Sequence, residues 1–224
     1  MADVSLYGHL TLDRVFTRSY SYCSVGSIGN VWKTLNKECP KLSVDISPTD
    51  FGEALIYVDE DKCERSSIAN LSNYVVPAKI KESKWHHVLY LNELKDTSFV
   101  SSLEGGIVSA DICAGSKLKD TTVLSHIDFL FISDEDLFLD LIDLGKLVRG
   151  WVIMHHPGGS KWTDGVEEGE HSIEKIENVN VLGCGDMFVA HFINNFLNSK
   201  DELSSIIKRC HSGITKTLQE QNGN

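Results

Sequence analysis

An α/β fold, with a mainly parallel sheet covered on both faces, is what this sequence predicts, and three observations carry the prediction. Short continuous apolar runs recur at 87–91, 106–112, 129–132 and 151–154. Polar or amphipathic stretches separate them. The chain then closes on two stretches with helical spacing, 186–198 and 201–217. A strand buried on both faces loses the polar–apolar alternation, because both rows of its side chains sit in the core. Parallel pairing also needs long crossovers between strands, and helices usually supply them. The result is a three-layer α/β/α sandwich.

Taken in order, 4–10 is a buried strand. Residues 15–23 alternate polar and apolar, with Phe16, Tyr20 and Tyr22, and suit a half-exposed strand. Residues 24–27 read as a turn. Apolar residues at 28, 31, 32 and 35 predict a helix over 28–37. The segments 54–58 and 66–71 look like two strands around a polar tip, 59–65, whose Asp59-Glu60-Asp61 run is a solvated turn. That pair carries little core and is expected to stand away from the main body. Residues 161–163 and 172–176 suggest a short antiparallel edge. The 186–198 helix has apolar residues at 187, 188, 192, 193, 196 and 197.

The 224 residues suit one domain, 1–224, long enough to bury a core. Hydrophobic content of 42% and charged content of 24% are ordinary for a globular chain. Asp plus Glu number 32 against 21 Lys plus Arg, a formal charge of −11. Such a chain has no general attraction for nucleic acid or anionic membrane, so neither is an expected partner. A small anion remains compatible, because a local site can reverse the sign. The six cysteines have no paired spacing, the opening MADVSLYGHL does not read as a signal peptide, and no apolar run approaches a membrane span. The expectation is a cytoplasmic protein with reduced, mostly buried thiols. His86-His87 and His155-His156 lie on strands, where neighbours point to opposite faces, so neither pair makes a metal site alone.

The segment richest in chemistry is Leu182-Gly183-Cys184-Gly185-Asp186-Met187-Phe188, a Gly-x-Gly turn opening an amphipathic helix. Glycine permits a tight turn and close approach of a ligand. The free N–H groups of the first helical turn favour an anion there. On spacing alone, Asp186 reads first as a helix N-cap, worth about 1 kcal/mol.

Gly183-Cys184-Gly185-Asp186 followed by Met-Phe resembles the Gly-Ala-Gly-Asp-x-Phe signature of the ribokinase-like (PfkB) carbohydrate kinases. Other segments resemble that family in the same order. Gly8 to Asp13 is similar to its first strand, which ends in a sugar-binding Asp. Gly26-Ser27-Ile28-Gly29-Asn30 is similar to its Gly-Gly-x-x-Asn turn, with Ser27 for the second glycine. Val108 to Asp111, Asp128 to Ser133, and His155 to Ser160 resemble its mid-sheet strands and the turn before its nucleotide-side hairpin.

The resemblance implies ATP-dependent transfer of a phosphoryl group to a sugar, nucleoside or related alcohol, with ATP and Mg²⁺ as cofactors. It implies Asp186 as the base accepting the hydroxyl proton, and the N–H groups of Gly183, Cys184 and Gly185 as the anion hole. Asp13, Gly26, Ser27 and Asn30 would serve the acceptor. Adenine would lie near 210–213 of the last helix. Strands from about 14–23 and 54–76 would form a small lid, through which two copies pair. The metal ligands stay unassigned, since Ser133-Asp134-Glu135-Asp136 is only a loose match to the family's Asn-x-x-Glu. Asn180-Val181-Leu182 replaces its Asp-Thr-Thr, and Met154-His155-His156 its Thr-x-Gly. A second reading is therefore a catalytically weak relative that binds a sugar, a nucleotide or a protein.

Overall fold

The computed structural model describes residues 1–72, 75–112, 118, 120–136, 139–177 and 179–222. The chain opens with β1 (Ala2–Phe16) and β2 (Ser21–Ser27), then the helix α1 (Ile28–Glu38). A hairpin of β3 (Val44–Asp59) and β4 (Glu64–Leu71) follows. Next come β5 (Ser83–Leu89), β6 (Ile107–Asp111), β7 (Phe129–Ser133), the short helix α2 (Leu141–Gly145) and β8 (Trp151–His156). β9 (Gly159–Thr163) and β10 (Glu168–Ser172) form a second hairpin before the helices α3 (Cys184–Asn198) and α4 (Leu203–Asn222).

Among the described residues the strands join one ten-stranded sheet, ordered β10-β9-β8-β7-β6-β5-β1-β3-β4, with β2 beside β1. Every neighbouring pair from β8 through to β3 is parallel. The hairpins at either end, and the β1–β2 pair, are antiparallel. The mainly parallel α/β sheet predicted from the apolar runs is thus present. One face packs against α1, α3 and α4 through a cluster that includes Leu35, Trp85, Phe131 and Phe192. The other face carries Tyr7, Val88, Leu124, Leu130 and Leu144. Compact connections cover that second face, namely α2 and 3₁₀ turns at 98–102 and 122–126. A third, small cluster of Val15, Ala54, Ile56 and Val58 with Leu182 holds the far ends of β1 and β3.

Three local expectations are corrected. Residues 15–23 are not one strand: Thr17–Tyr20 forms a reverse turn, with the Thr17 N–H donating to the Tyr20 carbonyl and the Thr17 hydroxyl bonded within the loop. Residues 24–27 are not a turn but the end of β2, pairing Asp13 with Ser24 and Leu10 with Ser27. β3 starts ten residues before the expected 54. Its first half is polar and contains Pro48, which sits at a bulge where the register to β1 jumps from Gly8↔Pro48 to His9↔Asp50. A proline is tolerated at such a bulge because the local ladder is already broken. Cys113 and Asn178 lie outside the described residues, as do 73 and 74. The five described cysteines are free, and of these only Cys39 and Cys210 are buried.

Candidate active site

The site begins with a change of pattern inside β1. Val4 to His9 are all buried, as befits the middle of a covered sheet. Beyond Leu10 burial alternates, with Thr11, Asp13 and Val15 inside and Leu12 and Arg14 outside. That alternation turns Thr11 and Asp13 onto the wall of a cavity of about 160 Å³. Asp13 is 5% exposed and accepts from the Thr11 hydroxyl at 2.7 Å. Burial raises its pKa, with the Thr11 bond opposing. Gly26 does not line the cavity; a Cβ there would lie 2.0–2.3 Å from the Asp13 carboxyl atoms, so its bareness makes room for that carboxylate.

Ser27 joins β2 to α1 at φ 55°, ψ −126°. This is backbone that favours glycine, the residue the resembling motif carries there. Its hydroxyl is buried at the cavity wall without a hydrogen-bond partner among the described residues. One turn on, Asn30 donates its amide to Asp186 at 2.9 Å.

Asp186 is not the N-cap of α3. Gly183 takes that place at φ 77°, in the left-handed region, and Asp186 is three residues further in. The helix starts where only glycine turns the chain cheaply. Asp186 is 4% exposed and also accepts from the Tyr90 hydroxyl at 3.4 Å. Burial pushes its carboxyl up to about 6, while the Asn30 amide, the Arg65 charge and the Tyr90 hydroxyl pull the other way. Cys184 donates its N–H to the Val181 carbonyl at 3.1 Å, so of the three expected anion-hole donors this one is engaged within the loop. Burial pushes its thiol up to about 12, which leaves it unreactive.

Asp13, Ser27, Asn30, Gly183, Cys184, Gly185 and Asp186 therefore all border one cavity. Sequence reasoning missed His9, Arg65, Tyr90 and Glu93 on the same walls. His9 is 2% exposed, and neither ring nitrogen has a hydrogen-bond partner among the described residues; Glu93 stands 3.9 Å from Nε2, beyond bonding reach. Among the described residues Ser27, Cys63 and Tyr90 are the non-glycines with positive φ. The first and third border this cavity and Cys63 borders its neighbour. Strained backbone gathers where ligand contacts are built, and no local residue preference announces a Tyr in that conformation.

A second cavity, about 440 Å³, adjoins the first and shares Arg65, Ser133, His155, Val181, Cys184 and Gly185 with it. Ile173, Ile176, Val179, Ile214 and Leu218 give it apolar walls, and Asp134 and Glu135 border it. From α4 it meets His211, Ile214, Thr215 and Leu218. Cys210 and Gly213 instead face α3, against Asn195 and the His191 ring. Of the stretch 210–213 expected near adenine, His211 borders this cavity. No group of three or more His, Cys, Asp or Glu side chains suited to a metal occurs among the described residues. None of the described helices is long and apolar enough to cross a membrane. His86 and His87 are core residues, bonded respectively to Tyr7 and Ser109.

No family model and no curated protein matches the sequence. The fold does match solved structures. A putative ribokinase II from E. coli, in complex with ATP and Mg²⁺, superposes with a TM-score of 0.70 at 13% identity, over 94% of this chain and 90% of that one. Arabidopsis thaliana ribokinase, complexed with ribose and ATP, gives 0.66 at 15% identity, over 97% and 93%. A pyrophosphate-dependent kinase in the ribokinase family gives 0.66 at 16% identity, over 96% and 95%. Identities this low speak for architecture, and the architecture extends over nearly the whole of each chain: this protein has the ribokinase-like α/β fold.

Proposed function

We propose that the chain is an ATP-dependent phosphotransferase acting on a hydroxyl of a sugar or related small alcohol, with Asp186 as the general base. One observation carries this reading. The Asp186 carboxylate is buried at the start of α3, on the wall of the smaller cavity and next to the loop that also walls the larger one. Its pKa of about 6 leaves it ionised at neutral pH, yet basic enough to take a proton. Asn30 and Tyr90 hold it without supplying a full charge that would quench it.

The smaller cavity suits the acceptor. Its volume lies below the ~300–1,000 Å³ typical of sites for drug-sized ligands, which favours a single sugar ring. Asp13, Ser27, Asn30 and His9 offer donors and acceptors for hydroxyls. The ends of β1 and β3, with β4, roof it through Ala54, Ile56, Ser67 and Ala69, and we assign them as the lid of a single domain, 1–224. The larger cavity suits the donor, with apolar walls for a base and the α3 N-terminus for phosphates. Mg²⁺ is typically held by one or two carboxylates, with phosphates and water completing the shell, and Asp134 and Glu135 at the cavity edge fit that need. When bound, the ion neutralises phosphate charge.

The weak-relative reading draws on the Cys184 N–H being bonded to Val181 rather than free for a phosphate. One experiment separates the two. Monosaccharides, cyclitols and nucleosides are screened by melting temperature, each with Mg-ATP or Mg-pyrophosphate, and products are weighed by mass spectrometry. A kinase yields an acceptor heavier by one phosphoryl group. Stabilisation by an acceptor with no product from either donor would end the kinase assignment.

A further inference from the structure

His155 is the last residue but one of β8, opposite Ser133 on one side and Ser160 on the other. It borders both cavities. Its Nε2 is sealed from solvent and has no hydrogen-bond partner among the described residues. A buried imidazole nitrogen without a partner is costly, so such an atom on a residue that walls two cavities calls for a ligand atom. The ring lies flush against Gly185: a Cβ there would be 3.1 Å from Cε1 and 3.3 Å from Nε2. Gly185 is in the first turn of α3, so the orphan nitrogen stands beside the helix N-terminus. Two features that each favour an anion therefore meet at one point.

We propose that His155 is a further catalytic residue, donating from Nε2 to a non-bridging oxygen of the phosphoryl group in transfer. This rests on the kinase reading above. In the step itself, the bond between the terminal phosphorus and its bridging oxygen breaks, and the leaving phosphate takes the electron pair. A bond forms from the acceptor hydroxyl oxygen to phosphorus, and the hydroxyl proton passes to Asp186. His155 neither gains nor loses a proton; it stabilises the charge spread over the equatorial oxygens. Burial, then the nearby His211 and His156, hold its pKa down to about 4, so the ring stays neutral at working pH. A neutral donor fits beside an Asp186 that must remain basic, because a cation there would lower the carboxylate's pKa.

The competing role is packing alone, since the ring also stacks near Phe188 with centroids 5.6 Å apart. His155→Phe keeps an aromatic ring and removes the donor; His155→Gln keeps a donor. Calorimetric titration of parent and variants with Mg-ATP and with Mg-pyrophosphate separates the roles, with melting temperature as the fold control. We expect the parent to bind at least one donor, His155→Phe to bind it about 10–100-fold more weakly, and His155→Gln to recover most of the loss. Full donor affinity in His155→Phe would overturn the proposal. Equal loss in both variants with a matching drop in melting temperature would also overturn it, in favour of packing. A parent that binds neither donor would sink the kinase reading itself, and His155's role with it.

Discussion

Asn30 in α1 donates its side-chain amide to the Asp186 carboxylate in α3, at 2.9 Å, across 156 residues of chain. The contact ties the two motifs of the site into one unit. Burial raises the pKa of that carboxylate, and the Asn30 amide is the largest influence opposing it, ahead of the Arg65 charge.

Asp186→Asn separates stability from turnover. The raised pKa means the folded state holds the Asp186 proton more tightly than the unfolded chain does. Its stabilising contribution is complete below the unfolded carboxylate's pKa, near 3.8, and is lost as pH rises through about 6. Ionisation at neutral pH therefore costs on the order of 3 kcal/mol, which the amide avoids. We expect Asp186→Asn to melt higher than the parent at pH 7.5, with the gap closing by pH 4, while turnover falls by about 10²–10⁴-fold. Equal turnover would remove Asp186 from the chemistry.

The same pKa predicts the acid limb of the rate. Turnover requires the ionised carboxylate, so it should fall roughly tenfold per pH unit below about 6 and level off above it. A profile that stays flat down to pH 4 contradicts a base buried in this way.

Ser27 sits in backbone suited to glycine. Ser27→Gly should relieve that strain and raise stability by about 1 kcal/mol, read by chemical denaturation. Removing the orphan hydroxyl should also weaken acceptor binding. A destabilised Ser27→Gly would show that the hydroxyl, not the backbone, governs this position.

Gly26→Ala has the opposite sign. Its Cβ would collide with the Asp13 carboxylate, and overpacking of this kind costs about 1–3 kcal/mol. Acceptor KM should rise more than donor KM, since Asp13 lines only the smaller cavity. Equal changes in both would place the damage elsewhere.

The outer face of the lid strands exposes Leu12, Val25, Leu55, Tyr57 and Ile68, and the register lays Leu12 beside Val25 and Leu55 beside Ile68. An apolar sheet face of this kind suits a second copy of the chain. Sedimentation at micromolar concentration should give a dimer for the parent and a monomer for Leu55→Lys. A monomeric parent removes the pairing without touching the fold.

The sequence by itself determined the α/β class, because strands buried on both faces announce themselves as continuous apolar runs whatever surrounds them. It also determined the glycine-led turn into α3 and the place of Asp186 in the first turn of that helix, since both are local features of a few adjacent residues. Tertiary structure decided the rest. β3 was half hidden because Pro48 and its polar neighbours read as loop, and only pairing with β1 makes them strand. The N-cap fell to Gly183 because backbone geometry, not side-chain preference, fixed where the helix begins. Tyr90, Arg65 and His9 reach the site from three separate strands or loops, and no spacing along the chain encodes such a meeting. The pKa of Asp186 is likewise a tertiary property: burial by distant segments raises it, and Asn30, Arg65 and Tyr90 temper it.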